Sequence, residues 1–232
     1  MRNDPLMDIT AAWNSALAYQ DRCTPVAFDK ERGLLLVECL NHGWAIQVRL
    51  LVPHIAKRVN AALPAPVIKV IGICVRKVRV LVTGSRRWTL RQELHEALFD
   101  AWHDAIQCFS DTTPLVIVHG DCPTGADAMA KQWAIDNGIP HEPHPADWAA
   151  PCPESCARLQ HRKTSPQHGE YCPLAGYRRN QQMVDLGADL VLAFQRQNSP
   201  GTAHCIRRAE AAGIPVRRIE DPYDPVNVQS PF

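Results

Sequence analysis

The stretch Val78-Arg79-Val80-Leu81-Val82-Thr83-Gly84-Ser85-Arg86-Arg87-Trp88 decides how the chain is read. Leu115-Val116-Ile117-Val118-His119-Gly120-Asp121-Cys122-Pro123-Thr124-Gly125-Ala126-Asp127 repeats its grammar. Each is an apolar, β-branched run that ends in a glycine turn and leads into a helix, which puts backbone N–H groups where a phosphate can bind. Outward from the first stretch, Leu90, Leu94, Ala97, Leu98, Ala101, Trp102, Ala105 and Ile106 fall at spacings of three and four and predict an amphipathic helix. Further on come a helix from Thr124 to Asn137 closed by Gly138, a weak strand over 139–144, a helix from Ala175 to Leu186, a strand from Asp189 to Phe194, a helix from Thr202 to Ala212 and a last strand from Ile214. Strand and helix alternate throughout. The expected fold of residues 78–220 is α/β, a doubly wound Rossmann-like parallel sheet with ligands at the C-terminal strand ends.

Four turns should converge on that edge. Gly84, Ser85 and Arg86 offer close approach, a hydroxyl with an N–H, and a bidentate cation. Gly120 and Gly125 frame the second turn, with Asp127 able to cap the helix or hold a ribose hydroxyl. Gly176, Arg179 and Asn180 open the third helix, and Gly201 with Thr202 the fourth. These residues are the candidate ligand site.

Between Trp148 and Ala175 the periodicity disappears, and Cys152, Cys156, His161, His168 and Cys172 appear. A loop of this length without a core of its own needs a staple, and three cysteines plus one histidine make a normal zinc set. Cys152, Cys156 and Cys172 are the expected thiolates, with His161 or His168 as fourth ligand of a structural Zn2+ in an insertion over 149–174. The tail from Asp221 to Phe232 is expected to be mobile.

Before Val78 the pattern changes. Trp13 and Leu17 share one face of a short helix capped by Asp8 or Thr10, Leu34 to Leu40 read as a strand, and Trp44, Val48, Leu51, Val52, Ile55, Val59 and Leu63 form a helical stripe with Pro53 as a kink or restart. Val67 to Ile73 make another strand. Residues 1–77 therefore predict a small α+β domain, joined to the next one with almost no linker.

The chain's net charge is +1, yet residues 1–78 carry ten Lys/Arg against six Asp/Glu and the remainder fifteen against eighteen. That asymmetry points an anionic partner at the first domain, with Arg49, Lys57, Arg58, Lys69, Arg76 and Lys77 as candidate nucleic-acid contacts. Hydrophobic residues at 46% and charged residues at 21% exclude bulk disorder. No apolar run reaches the ~18 residues of a membrane span, and the start lacks a secretory pattern, so a cytoplasmic location is expected.

The turn residues above, together with Trp88, Asp147-Trp148, Gln181, Met183-Val184, Ala188-Asp189 and Ala193-Phe194, resemble the SLOG superfamily in its YspA-like branch. That resemblance implies a Rossmann-like domain that binds nucleotides or nucleotide-derived ligands, related to cytokinin-activating phosphoribohydrolases and to the DNA-processing protein DprA. The enzymatic relatives use a Pro-Gly-Gly-x-Gly-Thr turn and a following glutamate. Here Ser199-Pro200-Gly201-Thr202-Ala203-His204-Cys205 keeps one Gly-Thr and has no glutamate before Glu210. Binding or sensing is therefore expected over hydrolysis, with His119, His204 and Asp127 as the candidate catalysts should it hydrolyse and a structural place the favoured reading for each.

Trp13, Thr24-Pro25, Gly33 to Val37, Trp44-Ala45, Leu51 and Arg58-Val59-Asn60 resemble DciA-like proteins, whose module looks like a KH domain. This implies single- or double-stranded DNA, or a replicative helicase, as partner, although the Gly-x-x-Gly clamp of a KH surface is missing. The leading expectation is a SLOG domain that binds or senses a nucleotide-derived ligand, coupled to this module. A nucleotide-cleaving hydrolase, acting on an N-glycosidic or phosphate bond, and a DprA-like single-stranded DNA binder are the alternatives.

Overall fold

The computed structural model describes residues 4–18, 21–109, 115–153, 156, 161–166 and 169–223. Helix α1 (Pro5–Ala16) starts with proline at its first position, and the Asp4 side chain accepts the Leu6 N–H at 3.0 Å. Neither Asp8 nor Thr10 is the cap: Pro5 starts the helix earlier because its fixed φ suits a first turn. Strands β1 (Cys23–Asp29) and β2 (Leu34–Cys39) form an antiparallel hairpin, and β3 (Val70–Val75) runs parallel to β2, in the order β1-β2-β3. Pro25 hides β1 from a propensity reading, but on an edge strand beside a bulge its missing N–H is tolerated.

Helix α2 (His42–Ala61) runs unbroken through Pro53, which lies exposed. Its inner face and the alternating side chains of β2 bury Val48, Ile55, Val59, Leu35 and Val37 around Trp13, whose indole donates to the Cys23 carbonyl at 2.9 Å. Trp13 is thus a core residue. Asn60 clamps the approach to β3: its carbonyl oxygen accepts from Val67 and Ile68, and its amide donates to the Ile68 carbonyl.

The chain divides into two compact units, residues 1–77 with 104–114, and residues 78–103 with 115–232. In the second unit β4 (Val78–Gly84), β5 (Leu115–His119), β6 (His141–Pro143), β9 (Leu190–Gln195) and β10 (Val216–Glu220) form a five-stranded sheet in the order β10-β9-β4-β5-β6, parallel throughout. The two strands between β6 and β9, β7 (Lys163–Ser165) and β8 (Gly169–Tyr171), pair as a separate hairpin. Helices α3 (Arg91–Phe109), α4 (Gly125–Asp136), α5 (Ala175–Asp185) and α6 (Pro200–Ala211) connect the elements. This is the expected doubly wound α/β fold. Its strand order reverses between β4 and β9, and such a switch point leaves a crevice at the C-terminal strand ends. No helix of the described residues is long and apolar enough to cross a membrane.

The glycines at that edge differ in kind. A Cβ on Gly84 would meet Ala126 and come within 2.9 Å of the Phe194 carbonyl oxygen, whereas one on Gly201 meets nothing within 4 Å. Gly84→Ala should therefore destabilise the protein by about 1–3 kcal/mol, the usual cost of overpacking. Gly201→Ala, in the first turn of α6, should leave the urea midpoint unchanged or raise it slightly.

Candidate functional site

At the end of β4 the chain turns at Ser85, and every polar atom of that residue is engaged. Its N–H donates to the Phe194 carbonyl on β9 at 2.9 Å, its carbonyl accepts from Trp88 and Ala126, and its hydroxyl accepts from the Arg87 N–H. Gly125, at φ 72°, permits the Ser85 carbonyl to lie against the start of α4. Ser85 therefore ties two strands to a helix, rather than presenting its N–H to a ligand as expected.

Around this knot lies a cavity of about 520 Å3 at the switch point. Arg86, Arg87, Arg179 and Arg196 line it, with Asp127 as its one carboxylate among the described residues. Asp127 is buried and accepts the Cys122 and Gly120 N–H groups, so it holds the turn between β5 and α4 from the helix's first turn. Burial raises its pKa, opposed by Arg179 nearby, so less negative charge faces the four guanidinium groups. The Arg179 guanidinium donates to the Gly120 and His144 carbonyls and to Asn180, and Asn180 in turn donates to the Gly201 carbonyl. Arg196 is anchored by the Arg87 carbonyl, Thr89 and the buried Asp221. Arg86 is exposed, 5.7 Å from the centroid of the Trp148 ring.

Gly84, Ser85, Arg86, Asp127, Gly176, Arg179, Asn180, Gly201 and Thr202 all border this cavity, while Gly120 and Gly125 support it from the neighbouring turn. Arg87, Arg196 and Trp148 were not among the expected site residues. Arg196 had a usable signal, as the residue directly after an apolar strand lies on the ligand edge of a parallel sheet. Backbone strain marks the same edge. All three positive-φ non-glycine residues among those described, Asp121, Gln197 and Asn198, sit in the turns after β5 and β9.

His119, at the end of β5, is fully buried. Its Nδ1 accepts the Asp121 N–H, so the ring proton of the neutral form is on Nε2, which lies 3.1 Å from Nδ1 of His141. Burial, then the neighbouring His141, pushes its pKa down to about 4. The ring thus links the end of β5 to the turn that follows it and to β6. The His204 ring on α6 lies 4.6 Å from that of Tyr177, tilted by 31°.

Cys152, Cys156, His161 and Cys172 come together with one ligand atom each, all within 4.8 Å of one another. His168 lies outside the described residues. Nε2 of His161 is 3.0 Å from the Cys156 sulfur and 3.2 Å from that of Cys172, and the latter two sulfurs are 3.6 Å apart. A tetrahedral zinc with ~2.3 Å bonds to sulfur and ~2.0 Å to nitrogen needs ligand separations of about 3.5–3.8 Å, so small shifts would seat it. Arg178 donates to the Cys172 and Cys156 sulfurs and Arg162 to that of Cys152, the outer shell that thiolates require. Burial alone would raise the Cys172 thiol, but Arg178 and His161 on its sulfur hold it down at about 5. The group can bind a metal ion such as zinc. It also reaches the cavity wall, because the Cys172 N–H donates to the Trp148 carbonyl at 3.0 Å.

Residues 78–150 match the YspA, cpYpsA-related SLOG family. The Gene 61 protein of Mycobacterium phage D29 is 38% identical over 148 residues, which span 62% of this chain and 97% of that protein. The chain belongs to the YspA, cpYpsA-related SLOG family. The C-terminal domain of a hydrogenase from Pyrococcus furiosus is 13% identical, with 62% of this chain and 92% of that chain covered at a TM-score of 0.33, too slight a likeness to bear on the SLOG fold or its function.

In the first unit Arg49, Lys57, Arg58, Lys69 and Lys77 are exposed and Arg76 is partly buried. At about 3.6 residues per turn, Lys57 lies about 80° and Arg58 about 180° around α2 from Arg49, so the three cations are spread over half the helix circumference and form no narrow stripe.

Two measurements check these sites. The purified protein should carry about one zinc per chain by elemental analysis, and Cys156→Ser or Cys172→Ser should lose most of it. For His119, the unfolded ring protonates near pH 6.5 and the folded ring only near 4. Stability should therefore fall as the pH drops through that window, by at most about 3 kcal/mol, and His119→Asn should flatten that part of a urea-midpoint profile.

Proposed function

We propose that the switch-point cavity of the SLOG domain binds and senses a nucleotide or nucleotide-derived ligand through its phosphate. One observation carries this reading: four arginines and a single buried carboxylate line a cavity into which the first turn of α6 opens. The first-turn N–H groups of a helix have no intrahelical acceptors, and Pro200 at the helix start pre-sets their direction. Ser199 makes no side-chain capping bond, and its hydroxyl instead accepts from Thr202 at 3.0 Å. Arg86 supplies an exposed cation capable of bidentate pairing, and Gly201 leaves room for close approach. Zinc at the Cys/His group has a structural role in this reading, since four protein ligands leave no position for water.

Hydrolysis is disfavoured by the state of the cavity carboxylate. Asp127 is buried and accepts two amides of its own turn, so it is not placed to activate water. The DNA and helicase expectation for the N-terminal unit is not carried into this proposal, because its cations form no single stripe.

The test is a calorimetric titration with AMP, ADP and ATP, followed by chromatography of each mixture. Binding with intact nucleotide recovered is expected, weakened roughly tenfold or more by Arg86→Ala and by Gly201→Ala. Appearance of a product would replace sensing with hydrolysis, and binding unaffected by both variants would place the ligand elsewhere.

A further inference from the structure

A second cavity, of about 670 Å3, lies beside the first on the same edge of the SLOG domain. The turn between β5 and α4 and the segment after β6 form its walls, and it shares Arg86, Cys122, Trp148 and Arg179 with the switch-point cavity. Arg179 is fixed between the two by the Gly120 and His144 carbonyls, and Trp148 packs against Gly176 and Tyr171. Arg86 reaches over the Trp148 ring on the same boundary. The two spaces are thus compartments separated by two guanidinium groups and one indole.

Their chemistries differ. The first is dominated by arginines and the α6 N-terminus. The second is walled by Pro123, Pro145, Ala146 and the Trp148 ring, with Thr124 and Asp121 as its polar groups. Thr124 precedes α4 but makes no side-chain capping bond, so the helix does not need its hydroxyl. The Asp121 carboxylate is held by Lys131 at 2.9 Å. Flat apolar walls with a hydroxyl and a fixed carboxylate suit a planar base and a sugar, while the guanidinium groups on the boundary suit phosphates.

We infer that the ligand is a dinucleotide, two nucleosides joined through a pyrophosphate, with the pyrophosphate held by Arg86 and the first turn of α6 and one nucleoside reaching into each compartment. This rests on the proposed phosphate site in the switch-point cavity and names the class of its ligand. Joining two halves makes the second contact intramolecular, so the whole should bind more tightly than either half.

NAD+ serves as the dinucleotide probe, with AMP and nicotinamide mononucleotide as its halves, each titrated calorimetrically into the zinc-loaded full chain. NAD+ should bind at least roughly tenfold more tightly than the better half. Ala146→Trp and Thr124→Trp, which fill the second compartment, should remove that advantage while AMP affinity stays within about twofold and the melting temperature is kept. Two filling variants guard against a local folding defect in either one. Equal affinity for NAD+ and AMP, or an NAD+ advantage that survives both variants, would overturn the dinucleotide assignment and leave the phosphate site standing. Failure of all three compounds to bind would overturn the phosphate site and the dinucleotide together.

Discussion

The backbone of Ser85 is the contact on which the rest of the SLOG domain depends. Its N–H crosses to the Phe194 carbonyl on β9, and its carbonyl accepts from Ala126 at the start of α4 and from Trp88. These bonds require the strand and helix ends to approach more closely than side chains allow, which explains Gly84 and Gly125. Once the three ends are tied, the switch point cannot close by sliding β9 along β4. The crevice is therefore a preformed cavity, and a ligand need not organise it.

Much of this was legible because the deciding signals are local. A β-branched run, a glycine and an amphipathic helix are adjacent in sequence, so each strand-turn-helix unit of residues 78–220 could be read alone, and the alternation then implied the parallel sheet. The set of Cys152, Cys156, His161 and Cys172 was legible for a similar reason: thiolates and imidazole have few other uses in an unpatterned loop. What escaped was set by long-range contacts. Ser85 was read as offering its N–H to a ligand, but Phe194, more than a hundred residues away, takes it. Arg179 was read as a ligand cation, and what the sequence could not show is that the carbonyls of Gly120 and His144 fix it in place where it lines both cavities. The β7–β8 hairpin has strands of three residues each, too short for any period to show.

The Cys/His group gains its meaning from where it is attached. Cys172 is one residue from the turn that starts α5, its N–H holds the Trp148 carbonyl, and Gly176 on α5 lies against the Trp148 ring. The indole borders both cavities. A metal bound by these four residues would therefore stiffen the wall that a ligand must contact, although it sits outside the cavities. The proposed ligand cavity and the Cys/His group are thus two parts of one domain, and Trp148 joins them.

The central claim is that a nucleotide phosphate sits at the switch point, between the end of β4 and the start of α6. The most direct measurement is a titration of the isotopically labelled protein with AMP, followed through its backbone amide resonances. The account predicts that Arg86, Arg87, Gly201 and Thr202 shift together along one saturable curve, while the amides of β1 to β3 stay in place. Shifts confined to the N-terminal unit, or spread evenly over the surface without saturation, would contradict it.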